Sequence, residues 1–250
     1  MHLENVVFDA IDPQRLGRFW EAALGTENLS DSPEGFETRL AVPGGQWLDL
    51  CFQPVPDVPH EPQRLHLDLA GGAAQDFIVR RMFELGARTA DVGQRDVPWT
   101  VLADVEGNPF CVLEDRAAYA GSGQLAALPL SSADPVGDQE FWAWLTGWTP
   151  VRGSVPQALR HPSGVGPTLE LVREAEPKGT LKNRMHLDVR LEPGDDLAAV
   201  HREIRDRGGA ELVNDWGELP WSCWQDPSGN EFCVLGVDRS GTAGRDGRWT

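Results

Sequence analysis

Apolar residues along the chain switch repeatedly between a helical period and a strand period. Leu16, Phe19, Trp20, Ala23 and Leu24 recur at helical spacing. Asp12-Pro13 stands ahead of them, an N-cap followed by proline at the first helical position, and Gly25 stops the helix. Val6 to Phe8 precedes it as a short strand. Phe36 to Val42 and Trp47 to Phe52 follow as strands joined by Pro43-Gly44-Gly45. The pattern then restarts. Leu65 to Leu69 alternates as a strand, and Ala73 to Leu85 carries a helical apolar face ending at Gly86. Trp99 to Ala103 and Pro109 to Glu114 read as a hairpin. A third strand near Arg88 to Val92 is weakly marked.

The same order returns in the second half. Asp134-Pro135 opens a helix with Phe141, Trp142 and Leu145 that stops at Gly147. Gln157 to His161, Thr168 to Val172 and Met185 to Leu191 read as strands, Leu197 to Arg207 as a helix, and Glu231 to Leu235 as a final strand. The correspondence is one of residues as well as of pattern. His66-Leu-Asp-Leu69 recurs as His186-Leu-Asp-Val189, 120 residues on, and Phe19-Trp20 as Phe141-Trp142, 122 residues on. Asp104-Val-Glu-Gly-Asn-Pro-Phe-Cys-Val-Leu113 recurs as Asp226-Pro-Ser-Gly-Asn-Glu-Phe-Cys-Val-Leu235. A repeat of this length is a duplicated domain, since one copy is long enough to close its own core. The expected domains are 1–116 and 125–238, with residues 117–124, small and polar, as a linker. The connectors are the proline-rich residues 54–63 and Glu174 to Asn183, and the Gly-rich tail from Arg239 is expected to fray.

Composition narrows the function. Of 250 residues, 22 are Lys or Arg and 39 are Asp or Glu, a formal charge of −17. That excess argues against nucleic acid and against an anionic membrane as partners. No apolar run reaches the length of a membrane span, and the N-terminus enters a strand directly, so a soluble, cytoplasmic protein is expected. Cys51, Cys111, Cys223 and Cys233 are expected to be reduced; Cys111 and Cys233 occupy matched positions in apolar strands and read as packing residues. Glycines form no phosphate-cradling loop, and no serine sits in a nucleophile elbow.

Two features carry chemistry. Residues two apart in a strand share a face, so His66 with Asp68 and His186 with Asp188 form candidate hydrogen-bonded pairs able to fix an imidazole tautomer or move a proton. The chain also has ten tryptophans against one tyrosine. Trp20 and Trp142 lie on helix faces and are expected in the core. Trp47, Trp99, Trp221 and Trp224 lie on strands and are candidates for an apolar binding surface. Trp221 and Trp224 fall on opposite strand faces, so at most one of them enters a given cavity. Trp216 is a further aromatic of the second copy alone.

The strand-helix-strands order, twice per copy, with Lys182-Asn-Arg-Met-His-Leu-Asp-Val189 and the Asp-x-x-Gly-Asn-x-Phe-Cys-Val-Leu segments, resembles the vicinal oxygen chelate superfamily. That superfamily includes glyoxalase I, extradiol dioxygenases and bleomycin-resistance proteins. The resemblance covers nearly the whole chain. It implies an α+β fold of two tandem glyoxalase-like domains, each of two β-α-β-β-β modules forming an open, cup-like sheet. The four modules are about 1–60, 61–116, 125–178 and 179–238.

The resemblance places a ligand, and any metal, inside the cup, with metal ligands on the first and last strands of a module. Carried onto this chain, those positions are Asn5, Asp49, His66 and Cys111 in the first copy, and Ala127, Glu170, His186 and Cys233 in the second. Asn5 is a weak ligand, Ala127 is none, and cysteine stands twice where an acidic ligand is usual. The candidate metal sets are Glu170, His186 and Cys233, and Asp49 with His66. No cofactor is expected; a divalent transition metal (Zn, Ni, Fe or Mn) is the one the resemblance admits. The leading expectation is a small-molecule binding protein with an apolar, tryptophan-lined cup for an apolar or aromatic molecule. The alternatives are a metal-dependent lyase, isomerase or dioxygenase, and a metal-free enzyme using a His-Asp pair. A monomer and a homodimer are both open.

Overall fold

A computed structural model of the chain describes residues 1–58, 62–213 and 219–237. Trp216, Trp249 and the tail from Arg239 lie outside the described residues. The first module comprises β1 (His2–Ala10), α1 (Pro13–Leu24), β2 (Glu27–Ser32), β3 (Gly35–Val42) and β4 (Gln46–Pro54). The second comprises β5 (Asp68–Ala70), α2 (Gln75–Leu85), β6 (Arg88–Thr89), β7 (Thr100–Ala103) and β8 (Pro109–Leu113). The third comprises β9 (Leu125–Ser132), α3 (Pro135–Thr146), β10 (Thr149–Val151), β11 (Ala158–Arg160) and β12 (Thr168–Arg173). The fourth comprises β13 (Met185–Arg190), α4 (Leu197–Asp206), β14 (Ala210–Glu211), β15 (Trp221–Gln225) and β16 (Glu231–Leu235).

Local chemistry sets these boundaries. The Asp12 carboxylate accepts from the Arg15 N–H at 3.0 Å at the start of α1, satisfying one of its orphan donors. Gly25 and Gly147 end α1 and α3 in the left-handed region, at φ 61° and 70°. The polar strand β2 was not legible in the sequence: most of its residues are exposed, and it is held by pairing with β3.

In every module the first strand runs parallel to the last, with the helix crossing between them. The α+β class, the four modules and the duplication stand as expected. The sheets, however, join the copies. One eight-stranded sheet has the order β14-β15-β16-β13-β1-β4-β3-β2 and so unites the first and fourth modules; the other, β10-β11-β12-β9-β5-β8-β7-β6, unites the second and third. The seams are antiparallel, β1 with β13 and β5 with β9. Each cup is therefore built from both halves of the chain.

What joins modules of the same half is helix packing. Trp20 on α1 is fully buried, with its ring 5.8 Å from Phe8 of its own module and 5.1 Å from Phe110 of the second. Trp142 on α3 meets Phe232 at 5.5 Å in the same way. Burying one such indole stabilises the fold by roughly 4 to 6 kcal/mol, an upper estimate from area. One apolar core runs continuously beneath the helix-facing sides of both sheets. Their other faces form the two cups.

The arginines beside the histidine motifs stitch the copies together. Arg64 donates to Asn230 at 2.7 Å and to the Ser228 carbonyl, on the 226–230 turn, and Arg184 reaches the Glu106 carbonyl on the 104–108 turn. They are structural here and lie outside the histidine clusters.

Candidate functional site

The first cup gathers its chemistry on the fourth module. Alternation on β13 turns His186 and Asp188 to the cup face while Leu187 and Val189 enter the core. Parallel register sets Cys233 of β16 beside Asp188, and antiparallel register sets Cys223 of β15 directly opposite Cys233. His186 Nε2 lies 3.3 Å from Asp188 Oδ1 and 3.7 Å from Cys233 Sγ, and the two sulfurs are 3.7 Å apart. Asn5 Nδ2 donates to Asp188 Oδ2 at 3.2 Å. His186, Asp188 and Cys233 are all buried, yet Asp188 Oδ1 and His186 Nδ1 have no hydrogen-bond partner among the described residues. Unsatisfied polar atoms at that depth are uncommon and carry a desolvation cost.

The two thiols differ. The hydrogen bond from Cys233, together with the nearby imidazole of His186, lowers Cys223 to about 7, whereas donating that bond and its own burial push Cys233 well up. The sequence alone offered no base or electropositive group for a cysteine; the fold supplies one by bringing β13, β15 and β16 together.

Beside this cluster is a cavity of about 600 Å³, a size suited to a small organic molecule. Its apolar wall is made by Pro54, Val55, Leu212, Trp221 and Leu235, and its polar wall by His186, Asp188, Cys223 and Cys233. Lys182 and Asp9, 2.6 Å apart, mark its rim.

The second cup has the same histidine motif and a different interior. His66 Nε2 is 3.2 Å from Asp68 Oδ1, and a ligand atom from each of His66, Asp68 and Cys111 lies within 4.8 Å of the others. The segment expected to be an interdomain linker forms a single 3₁₀ turn, Ala117–Tyr119, and places Tyr119 in the cup against Val101, Cys111 and Ala127. The Tyr119 hydroxyl donates to Glu170 at 3.2 Å, and Thr168 donates to the same oxygen at 3.2 Å. Burial and the charge of Asp68 raise the Glu170 carboxyl above its ordinary value. Burial likewise raises the thiol of Cys111.

The exchanged sheets regroup the candidate residues. Glu170 belongs to the second sheet, whereas His186 and Cys233 belong to the first, so that set does not assemble. Asp49 and His66 are divided in the same way. The close groupings are His186, Asp188, Cys233 and His66, Asp68, Cys111, each drawn from one module. Asp49 faces the first cup but is held bidentately by Arg39, at 2.8 and 2.6 Å.

Of the four candidate tryptophans, only Trp221 lines the cavity beside His186. Trp224 is fully buried on the helix side, its ring 4.9 Å from His201 of α4, so it packs in the core and does not line the cup as expected. Trp47 is half exposed beneath the Arg39 guanidinium and borders a separate hollow with Trp148 and His161. Trp99 lies under Arg116 and packs against the Tyr119 cluster. Sequence reasoning missed Cys223 and Tyr119 as cup residues. Alternation from Trp221 would have placed Cys223 on the cup face; nothing local marked Tyr119.

The chain superposes on a crystal structure of glyoxalase I from Zea mays, with 16% identity, a TM-score of 0.63, and 94% of this chain and 92% of that one covered. It also superposes on a putative dioxygenase from Bacillus subtilis, with 14% identity, a TM-score of 0.58, and coverage of 94% and 85%. At these identities the likeness is one of fold. No curated protein sequence matches the chain. The family model for the glyoxalase-like domain matches residues 5–113 and again 127–235. The chain belongs to the glyoxalase-like domain family and carries that domain twice.

Proposed function

We propose that the chain binds a small, largely apolar or aromatic molecule in the first cup, with Trp221 as its flat contact and His186 among its polar contacts. The observation that carries this reading is the contrast between the cups. The first holds a cavity of about 600 Å³ walled by Trp221, Val55 and Leu235, while Tyr119 fills space in the second. Apolar walls with a few convergent polar groups are the usual make-up of a small-molecule site. Titration with a library of aromatic compounds, followed by tryptophan fluorescence, tests it. Quenching that is lost in Trp221→Leu supports the site, and an unresponsive protein across the library overturns it.

A second reading is favoured by the His186, Asp188, Cys233 grouping: a metal-dependent lyase, isomerase or dioxygenase in the same cup. The residues suit a divalent transition metal, because Asp188 Oδ1 is buried, accepts no hydrogen bond among the described residues and stands 3.3 Å from His186 Nε2. His186, Asp188 and Cys233 would hold the ion, which would polarise a substrate oxygen when bound. Asn5 orients Asp188, and the apolar wall excludes water. A metal-free proton transfer through His186 and Asp188 uses the same pair without the ion. Both sheets are completed within one chain, which supports a monomer; sedimentation equilibrium tests that.

A further inference from the structure

The duplication supplies an internal comparison for one residue of the first cup. In the second cup the residue facing Cys111 across β7 and β8 is Val101. At the matched place in the first cup, the residue facing Cys233 across β15 and β16 is Cys223. This hairpin packs with valine in one copy, so the fold does not require a second thiol there. We infer that Cys223 and Cys233 form a dithiol–disulfide couple, oxidised to a cross-strand disulfide by a low-molecular-weight disulfide that enters the first cup.

Register and backbone direction set the geometry. The Leu212 N–H donates to the Cys223 carbonyl at 2.8 Å, so the backbone polar groups of Cys223 point to β14 and away from β16. Cys223 and Cys233 are therefore a non-hydrogen-bonded antiparallel pair, the kind in which α-carbons stand about 4.5 Å apart and side chains are closest. A disulfide spans α-carbons about 4.4 to 6.8 Å apart, so neither strand has to move. Both residues are reduced thiols with their sulfurs 3.7 Å apart. Side-chain rotation closes that gap to a bond of about 2.05 Å.

Access selects the same pair. Cys223 and Cys233 both border the cavity of about 600 Å³, and Cys223 is the less buried of the two. Cys51 lies on β4, beyond two intervening strands of the same sheet, roughly 14 Å from Cys233 at about 4.8 Å per strand. Cys111 is in the other sheet, buried against Tyr119. In the first step the Cys223 sulfur bonds to one sulfur of the entering disulfide, whose S–S bond breaks and releases one thiol with the Cys223 proton. In the second step the Cys233 sulfur bonds to that of Cys223, the mixed S–S bond breaks, and the other thiol leaves with the Cys233 proton. The protein loses two electrons and the small disulfide gains them. The couple rests neither on the apolar-ligand reading nor on the metal-bearing one.

The test exposes the full-length protein, with EDTA present, to bis(2-hydroxyethyl) disulfide, a neutral probe that the chain's charge of −17 does not repel. Samples are quenched with iodoacetamide and cleaved before aspartate, which separates Cys223 from Cys233 at Asp226, and the peptides are read by mass spectrometry. In the wild type the two thiols are expected to disappear together, about tenfold or more faster than Cys51 and Cys111, as linked peptides that dithiothreitol separates. Cys233→Ser is expected to hold the mixed disulfide on Cys223. Cys223→Val, which reproduces the valine of the second cup, is expected to keep Cys233 reduced. The couple is overturned by a wild type that stops at the mixed disulfide, by loss of Cys51 or Cys111 at the same rate, or by four intact thiols. Loss of Cys233 at the wild-type rate in Cys223→Val overturns it as well.

Discussion

The hydroxyl of Tyr119 donates to Glu170 at 3.2 Å from a segment that joins the two copies. The connection that makes the chain a tandem repeat thereby occupies one of its two cups. Two sheets of similar construction end with different interiors, one filled by a phenol ring and one bordered by a cavity.

Removing that ring is expected to destabilise the protein and open the second cup. Tyr119→Ala should cost about 3 to 5 kcal/mol, as for other buried aromatics truncated to alanine. Tyr119→Phe should cost about 1 kcal/mol, since Glu170 retains the Thr168 hydroxyl as a donor. Urea denaturation midpoints measure both. Equal stability of Tyr119→Ala and wild type would show that the ring contributes nothing to the second cup.

Trp221 and Trp224 are expected to separate cleanly, although only two residues lie between them. Trp224 is fully buried on the helix side, so Trp224→Leu should cost about 2 to 4 kcal/mol through lost packing. Trp221 borders the cavity, so Trp221→Leu should change stability by less than about 1 kcal/mol and remove the fluorescence response to ligand. A ligand response that survives in Trp221→Leu would move the site elsewhere.

Matched buried pairs predict matched penalties. Trp20 donates to Asp104, and Trp142 to Asp226, each at 3.1 Å. Trp20→Phe and Trp142→Phe should each lose about 1 to 3 kcal/mol, because each removes one donor from a buried carboxyl. Thermal or urea unfolding checks the equality, and a wide difference between the two would show that the copies do not share this support.

The second of these pairs also predicts a pH dependence. Burial and the charge of Asp138 raise the Asp226 carboxyl to about 7, whereas an aspartate in an unfolded chain ionises near about 3.9. Between those values the folded state keeps a proton that the unfolded state has released. This group therefore lowers stability progressively as pH rises from about 4 to about 7, and adds no further change above. Comparing urea midpoints at about pH 5 and about pH 8 in wild type and Asp226→Asn isolates the contribution: the loss on raising pH should be smaller in the variant.

Asp49 is buried and its only ion pair among the described residues is with Arg39. Arg39→Met should destabilise by about 2 to 4 kcal/mol, because it strands a buried carboxylate. Asp49→Asn should cost less, since it removes the charge along with its partner. Chemical denaturation of the two variants gives the order, and the reverse order would show that the pair does not neutralise Asp49.

Much of this molecule was legible in its residues because the informative signals are local. Asp12-Pro13 and Gly25 bound α1, and Asp134-Pro135 and Gly147 bound α3. The two-residue period put His186 and Asp188 on one face and Trp221 and Trp224 on opposite faces, as observed. The 122-residue repeat showed the duplication, and the combined motifs pointed to the family. The polar strand β2 was not visible, because its order comes from pairing with β3 and not from its own side chains.

Sequence by itself determined the modules, their order and the identity of the histidine pairs. Tertiary structure decided which modules share a sheet. Strand-edge hydrogen bonding is made by backbone groups common to every residue, and two copies of one motif present nearly the same edges. The choice of partner is therefore invisible along the chain. That choice separates Glu170 from His186, and Asp49 from His66. Register within the fourth module then brings Cys223 to Cys233, and the course of the connecting segment puts Tyr119 over Glu170.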